Sequence, residues 1–292
     1  MNNDEHHFNK MSEIERITRE SNAFKLVSRE FHREDTVIKV NGVTIGGKKI
    51  IMMAGPCSVE NEFQVLETAW AVKKSGAHVL RGGAYKPRTS VYSFQGLGED
   101  GLKILAKAKK ETGLPIITEI MSQDKVQLVA EYADILQIGC RNMQNYDLLM
   151  EVGKTNKPVV LKRGFNSTLQ EFLLSAEYIM SQGNSQIILC ERGIRTFETM
   201  TRNTLDISAV PILKRLSHLP VMVDPSHATG KRYLILPMSR AAIAVGADVI
   251  MIEVHHQPDK ALCDGAQSLP PEEFENVMKG IKPIVQCMGR EI

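Results

Sequence analysis

Eight short apolar runs recur between residues 50 and 255 at intervals of about 28 residues, and each is followed by a polar turn and a segment with apolar residues at helical spacing. The runs are IIMMAG from 50, HVLRGG from 78, IITEI from 116, ILQIG from 135, VVLKRG from 159, IILCERG from 187, VMVDPSH from 221 and VIMIEVH from 249. A period of this length is one strand plus one helix, so the chain reads as a series of βα units with a parallel sheet. The runs are continuously apolar rather than alternating, which marks strands covered on both faces, and eight of them favour closure. Residues 47–292 also approach the ~250 typical of a (β/α)8 barrel, so that fold (the TIM barrel) is expected for them. An open doubly wound sheet is the alternative, but no G-x-G-x-x-G follows any run.

The first 46 residues are different in kind. VIKV and VTIG flank Asn41-Gly42, a pair that tolerates the positive φ angles of a tight hairpin turn, so a β-hairpin is expected at 37–46. It would cover the barrel bottom. Residues 1–22 are polar, with Ile14 and Ile17 at helical spacing, and predict a marginal helix or frayed arm, joined to the hairpin by the linker-like FKLVSREFHRED. Thirty-six Lys and Arg balance 34 Asp and Glu, so no global field selects nucleic acid or an anionic membrane. Five cysteines, irregularly spaced and odd in number, argue against a secreted disulfide framework. The N-terminus lacks a signal-peptide pattern and no apolar run could span a bilayer, so a cytoplasmic location is expected.

Every run ends in a reactive or polar group, and in a parallel barrel the carboxyl ends of the strands share one face. Four of these groups suit a divalent metal: Cys57 after the first run, His227 after the seventh, Glu253 ending the eighth, and Asp264 in the loop beyond it. Closure makes the seventh, eighth and first strands neighbours, so the four would converge. Mixed sulfur, nitrogen and oxygen donors favour Mn, with Fe, Co or Zn possible, over Mg or Ca. Taken by itself, a lone cysteine at a strand end reads more readily as a small buried hydrophobe than as a ligand. His255 and His256 are rival ligands, ranked below His227.

A second set is cationic: Arg81, Lys86 and Arg88 after the second run, Arg141 after the fourth, Lys162 in the fifth and Arg192 after the sixth. Six cations facing one cavity would repel one another without anions, and guanidinium forks match phosphate and carboxylate oxygens. A site for more than one anionic group follows, with Thr89 and Ser90 of KPRTS adding hydroxyls beside Arg88.

AGPCSVE (54–60), LRGGAYKPRTSVYSFQGLG (80–98), QIGCRNMQN (137–145), LKRGF (161–165), CERGIRTFE (190–198), DPSHATG (224–230) and EVHHQPDKALCDGAQSL (253–269) resemble the 3-deoxy-D-arabino-heptulosonate 7-phosphate synthase family, in its type I beta subgroup. The resemblance runs from about residue 24 to 286. It implies condensation of phosphoenolpyruvate with erythrose 4-phosphate, releasing phosphate, at the first step of the shikimate pathway of aromatic amino acid biosynthesis. By the same resemblance, Cys57, His227, Glu253 and Asp264 match the family's metal ligands. Arg81, Lys86, Arg141, Lys162 and Arg192 match its phosphoenolpyruvate site, and Arg88, Thr89 and Ser90 hold the sugar phosphate. Lys86, Cys57 and His227 are the expected catalytic residues, Lys86 as proton donor to the aldehyde oxygen. A homo-oligomer of two or four chains is expected as well. The segment ahead of the barrel is too short for the subgroup's regulatory domains, which predicts little inhibition by aromatic amino acids.

Two residues depart from the family pattern, Cys140 before the substrate arginine and Cys263 before the last metal ligand. Alternation along an extended segment predicts that Cys263 faces away from the site when Asp264 faces it. The competing expectation is that its sulfur reaches Cys57. Three other functions compete. An octulosonate 8-phosphate synthase would use arabinose 5-phosphate, but its corresponding loop resembles KANRSS rather than KPRTS. A class I aldolase would use Lys162 as a Schiff-base amine, and a non-catalytic anion binder would need no metal quartet.

Overall fold

The computed structural model describes residues 23–292. The arm expected at residues 1–22 lies outside them. The first strands among the described residues are β1 (Ile38–Val40) and β2 (Val43–Ile45), paired antiparallel across Asn41 and Gly42, whose φ angles of 43° and 81° are those the hairpin turn demands.

The eight runs form the strands of one closed parallel barrel: β3 (Ile51–Gly55), β4 (Val79–Arg81), β5 (Ile116–Ile120), β6 (Ile135–Ile138), β7 (Val159–Lys162), β8 (Ile187–Glu191), β9 (Val221–Val223) and β10 (Val249–Glu253). The seam closes where β10 pairs with β3 in register, Val249 with Ile51 through Glu253 with Gly55. That register sets the end of the last strand directly beside the loop that carries Cys57.

Because each strand is covered on both faces, its apolar residues divide by parity between two cores. Ile51, Met53, Val79, Ile117, Ile135, Val160, Ile188, Met222, Val249 and Met251 fill the barrel interior. Their neighbours Met52, Ala54, Leu80, Ile116 and Ile250 pack outward with helix residues such as Leu105, Phe172 and Phe274. The hairpin belongs to the inner core. Ile38, Val40 and Ile45 join the barrel-filling cluster, which plugs the barrel at the strands' amino ends. Each such side chain taken from water is worth about 1.5–3 kcal/mol. Asn41 adds a polar tie, its amide donating to Asp134. Among the described residues no helix is long and apolar enough to cross a membrane.

The helices end where their sequence signals place them. The helix α1 (Glu62–Lys74) is capped by the Asn61 side chain, and α2 (Leu169–Met180) by a reciprocal Thr168–Glu171 box. The seventh run is followed by a short helix, Pro225–Thr229, with Asp224 as cap, proline in its first turn and Gly230 in the left-handed region beyond it. Asp224 accepts the His227 backbone N–H at 3.0 Å. This one-and-a-half-turn helix is what aims the His227 ring at the barrel mouth.

Candidate active site

The carboxyl ends of the strands enclose a cavity of about 260 Å³ whose wall includes Arg81, Lys86, Arg88, Thr89, Ser90, Arg141, Lys162, Arg192, His227 and Asp264. All six cations read from the sequence therefore reach one space. Cys57, His227, Glu253 and Asp264 each offer a donor atom, and these four atoms lie within 4.8 Å of one another. His255 instead sits 3.4 Å from Glu60, away from the quartet.

Burial would make the cluster costly without counter-charges, and the structure supplies them in pairs. His227 donates or shares a proton at Nδ1 with Asp224 Oδ2 at 2.6 Å, while its Nε2 lies 3.1 Å from Glu253 Oε1. Burial opposes charge on the imidazole, but the carboxylates of Asp224 and Glu253 outweigh it and lift its pKa to about 10. The fully buried Glu253 pairs with Arg81 Nη1 at 3.2 Å and accepts from Gln267 at 2.6 Å. Against the cost of burial, His227 and Arg81 hold it well below the ordinary carboxylate range. Asp264 meets Arg202 at 3.2 Å.

Lys86 Nζ reaches the Cys57 carbonyl at 3.0 Å and its sulfur at 3.1 Å. Burial disfavours the ammonium, yet the sulfurs of Cys57 and Cys263 keep it above the usual lysine range. The fold back is possible because residue 83 is glycine. A Cβ there would lie 2.8 Å from Lys86 Cδ and 2.9 Å from the Cys57 carbonyl oxygen. The RGG sequence after the second run is thus a packing requirement of the lysine that follows it.

Two sequence expectations change. Not all six cations wait for ligand anions: Lys162 Nζ is paired with buried Asp224 at 2.7 Å, and Arg81 with Glu253. With its amine directed at the Asp224 carboxylate, Lys162 is not the free amine that the Schiff-base reading calls for. Cys263 faces the site rather than away from it, with its sulfur 3.1 Å from that of Cys57 and in contact with the Arg88 guanidinium. The alternation argument fails because Asp264 has a φ of 52°, a left-handed turn that puts neighbouring side chains on one side. Their mutual hydrogen bond raises the pKa of Cys57 and lowers that of Cys263, to about 7.

Several residues at the site have no role that the sequence assigns to them. Asp224 bridges Lys162 and His227, and only its place at a strand end distinguishes it. Glu119 and Gln137, hydrogen-bonded at 3.2 Å, line the cavity beside Gly139. Arg202 comes from the irregular stretch between β8 and the next helix, where no periodicity points inward.

A closed parallel barrel that gathers six cations around one cavity, next to a cluster of thiol, imidazole and carboxylate groups, defines a class of barrel enzyme built for small polyanionic substrates. Comparison with known proteins narrows the class. The chain belongs to the DAHP synthetase I family, whose model matches residues 32–287. It is 56% identical over 285 residues to the phospho-2-dehydro-3-deoxyheptonate aldolase of Thermotoga maritima, covering 98% of this chain and 84% of that one. The crystal structure of that Thermotoga DAHP synthase superimposes with a TM-score of 0.91, over 93% of this chain and 80% of the other. The 2-dehydro-3-deoxyphosphooctonate aldolase of Geobacter sulfurreducens is more distant, at 36% identity over 85% of this chain and 97% of the relative.

Proposed function

We propose that this chain is a metal-dependent 3-deoxy-D-arabino-heptulosonate 7-phosphate synthase, joining phosphoenolpyruvate to erythrose 4-phosphate with release of phosphate. Its family and its 56% identity to a phospho-2-dehydro-3-deoxyheptonate aldolase support the reaction. The observation that carries the site reading is the meeting of all six cations in one cavity that also contains His227 and Asp264 of the donor quartet.

Arg141, Lys162 and Arg192, with Arg81 and Lys86, would hold the phosphate and carboxylate of phosphoenolpyruvate. Arg88, Thr89 and Ser90 line the same cavity and would hold the phosphate of the sugar. Two anionic substrates brought together repel each other, and fixed cations offset that cost before reaction begins. The quartet fits a divalent transition metal, since it combines one sulfur, one nitrogen and two carboxylate donors, with Mn favoured over Fe, Co and Zn. Such an ion supplies Lewis acidity to a carbonyl oxygen. Cys57, His227, Glu253 and Asp264 would hold it, and Asp224 orients the His227 ring so that Nε2 faces the other donors.

The C3 carbon of phosphoenolpyruvate attacks the aldehyde carbon of erythrose 4-phosphate, and the aldehyde oxygen takes a proton from Lys86 Nζ. Water then adds to C2, and phosphate leaves with cleavage of the C2–O bond. Lys86 suits the donor role because it stands between the metal-site sulfur and the cavity, one residue before the proline of KPRTS.

Loss of phosphoenolpyruvate followed with erythrose 4-phosphate and with arabinose 5-phosphate tests the reading. Turnover should require the four-carbon sugar, cease after dialysis against a strong chelator, and return with Mn. Preference for arabinose 5-phosphate would move the chain to the octulosonate reaction, and full activity after metal stripping would remove the metal assignment.

A further inference from the structure

We propose that Phe165 is a positioning residue for the anion-binding guanidiniums, its ring holding Arg141 and Arg192 in place without a counter-ion. Three arginines surround this ring. The guanidinium carbons of Arg192, Arg195 and Arg141 lie 4.6, 4.8 and 5.5 Å from its centroid. All three fall within the range of a cation over an aromatic face. Phe165 follows Gly164 just beyond β7, and its carbonyl accepts the Arg195 backbone N–H at 2.8 Å, so the ring is pinned between the loops after β7 and β8.

The contrast with the buried cations carries the argument, and of the three arginines only Arg192 is itself buried, while Arg141 and Arg195 are exposed. Arg81 is paired with Glu253, Lys162 with Asp224, and Arg163 with both Glu191 and Asp206. Among the described residues, Arg141, Arg192 and Arg195 have no carboxylate partner at ion-pair distance. A carboxylate would fix a guanidinium but would also cancel its charge and occupy its N–H donors. An aromatic face fixes the plane of the cation through its quadrupole and does neither. Arg192 uses its N–H groups on only the backbone oxygens of Gly193 and His227, at 3.4 and 3.2 Å, and Arg141 reaches only Thr89, at 3.5 Å. Most of the five donors of each remain available to a ligand. Arg141 and Arg192 also line the cavity. Without the ring, the exposed Arg141 would be free to swing away from the cavity and from Arg192.

The inference rests on the assignment of Arg141 and Arg192 to phosphoenolpyruvate, and the test separates the two. In the Mn-loaded enzyme, Phe165→Leu keeps an apolar side chain and removes the quadrupole. We expect the KM for phosphoenolpyruvate to rise about tenfold, as two lost cation–ring contacts would give. The KM for erythrose 4-phosphate, kcat and the melting temperature should stay within about twofold or a few degrees of wild type. Phe165→Tyr should restore the phosphoenolpyruvate KM. Replacement of Phe165 by fluorinated phenylalanines keeps the shape and weakens the ring face stepwise, so the KM should climb with fluorine number even if the leucine variant folds poorly. An unchanged phosphoenolpyruvate KM across that series overturns the proposal, as does an equal rise for both substrates. Arg192→Gln serves as the control on the site. If it too leaves the phosphoenolpyruvate KM unaltered, the assignment of the arginine itself fails; if it raises that KM while the phenylalanine series does not, only the role of Phe165 fails.

Discussion

Asp224 shows how one residue ties two parts of the site together. Its carboxylate lies 2.6 Å from His227 Nδ1 and 2.7 Å from Lys162 Nζ, and it is fully buried. His227 and Lys162 overcome the cost of that burial and keep the carboxyl well below its ordinary pKa. A charged partner at Nδ1 fixes the imidazole tautomer and increases the basicity of Nε2. Asp224→Asn keeps the shape and removes the charge, so metal affinity measured by competition with a chelating dye should fall about 10- to 100-fold. The KM for phosphoenolpyruvate should rise as well, because Lys162 loses its buried partner. Wild-type metal affinity in a folded Asp224→Asn protein would show that the aspartate serves Lys162 alone. Cys263 teaches the opposite lesson about legibility. Its direction could not be read from the sequence, since it depends on a left-handed Asp264, a conformation that residue type permits but does not announce.

At the scale of elements, the strands were legible because a covered strand must be apolar on both faces, and the hairpin because Asn41-Gly42 favours one turn geometry. What could not be read is how the bottom of the barrel is tied together, since side chains distant in sequence do it. His78 is an example. It directly precedes β4, and its Nδ1 accepts the Met52 backbone N–H of β3 at 3.0 Å, while its own N–H donates to the Met52 carbonyl at 2.9 Å. Burial, aided by Lys49, lowers its pKa to about 4. The folded state therefore favours neutral imidazole, while the unfolded chain takes up a proton below its ordinary value near 6.5. Above pH 6.5 both states are neutral and the residue makes no pH-dependent contribution. As pH falls from 6.5 to 4, only the unfolded state gains the proton and stability declines. Partial exposure reduces the effect to roughly 1–2 kcal/mol. His78→Asn keeps an acceptor near the Nδ1 position, so urea melts should show a shallower loss of stability than wild type across that window. Parallel pH profiles for the two proteins would contradict this account.

The whole molecule is a barrel closed at a single seam, and the donor quartet straddles it. Cys57 follows β3, Glu253 ends β10, His227 stands beyond β9 and Asp264 in the loop after β10, so the four donors belong to three adjacent strands that include both sides of the closure. An ion bound there would link the first strand of the barrel to the last two. None of the four donors is adjacent in sequence to another, so an unfolded chain offers no comparable site, and the energy of binding an ion there would become folding energy. At a metal concentration a hundred times its dissociation constant the gain is about 2.7 kcal/mol. For a chain of this size that corresponds to a melting temperature higher by roughly 4–5 °C. The donor chemistry also orders the ions. A sulfur and an imidazole should make Mn, Co and Zn raise the melting temperature more than equal concentrations of Mg or Ca. Glu253→Gln should lose most of the shift, since it removes a buried anionic ligand while keeping the size of the side chain. Calorimetry of the chelator-treated protein, titrated with each ion in turn, measures this directly. A melting temperature indifferent to Mn and Zn, in protein that circular dichroism shows to be folded, would mean that these four residues do not hold the ion.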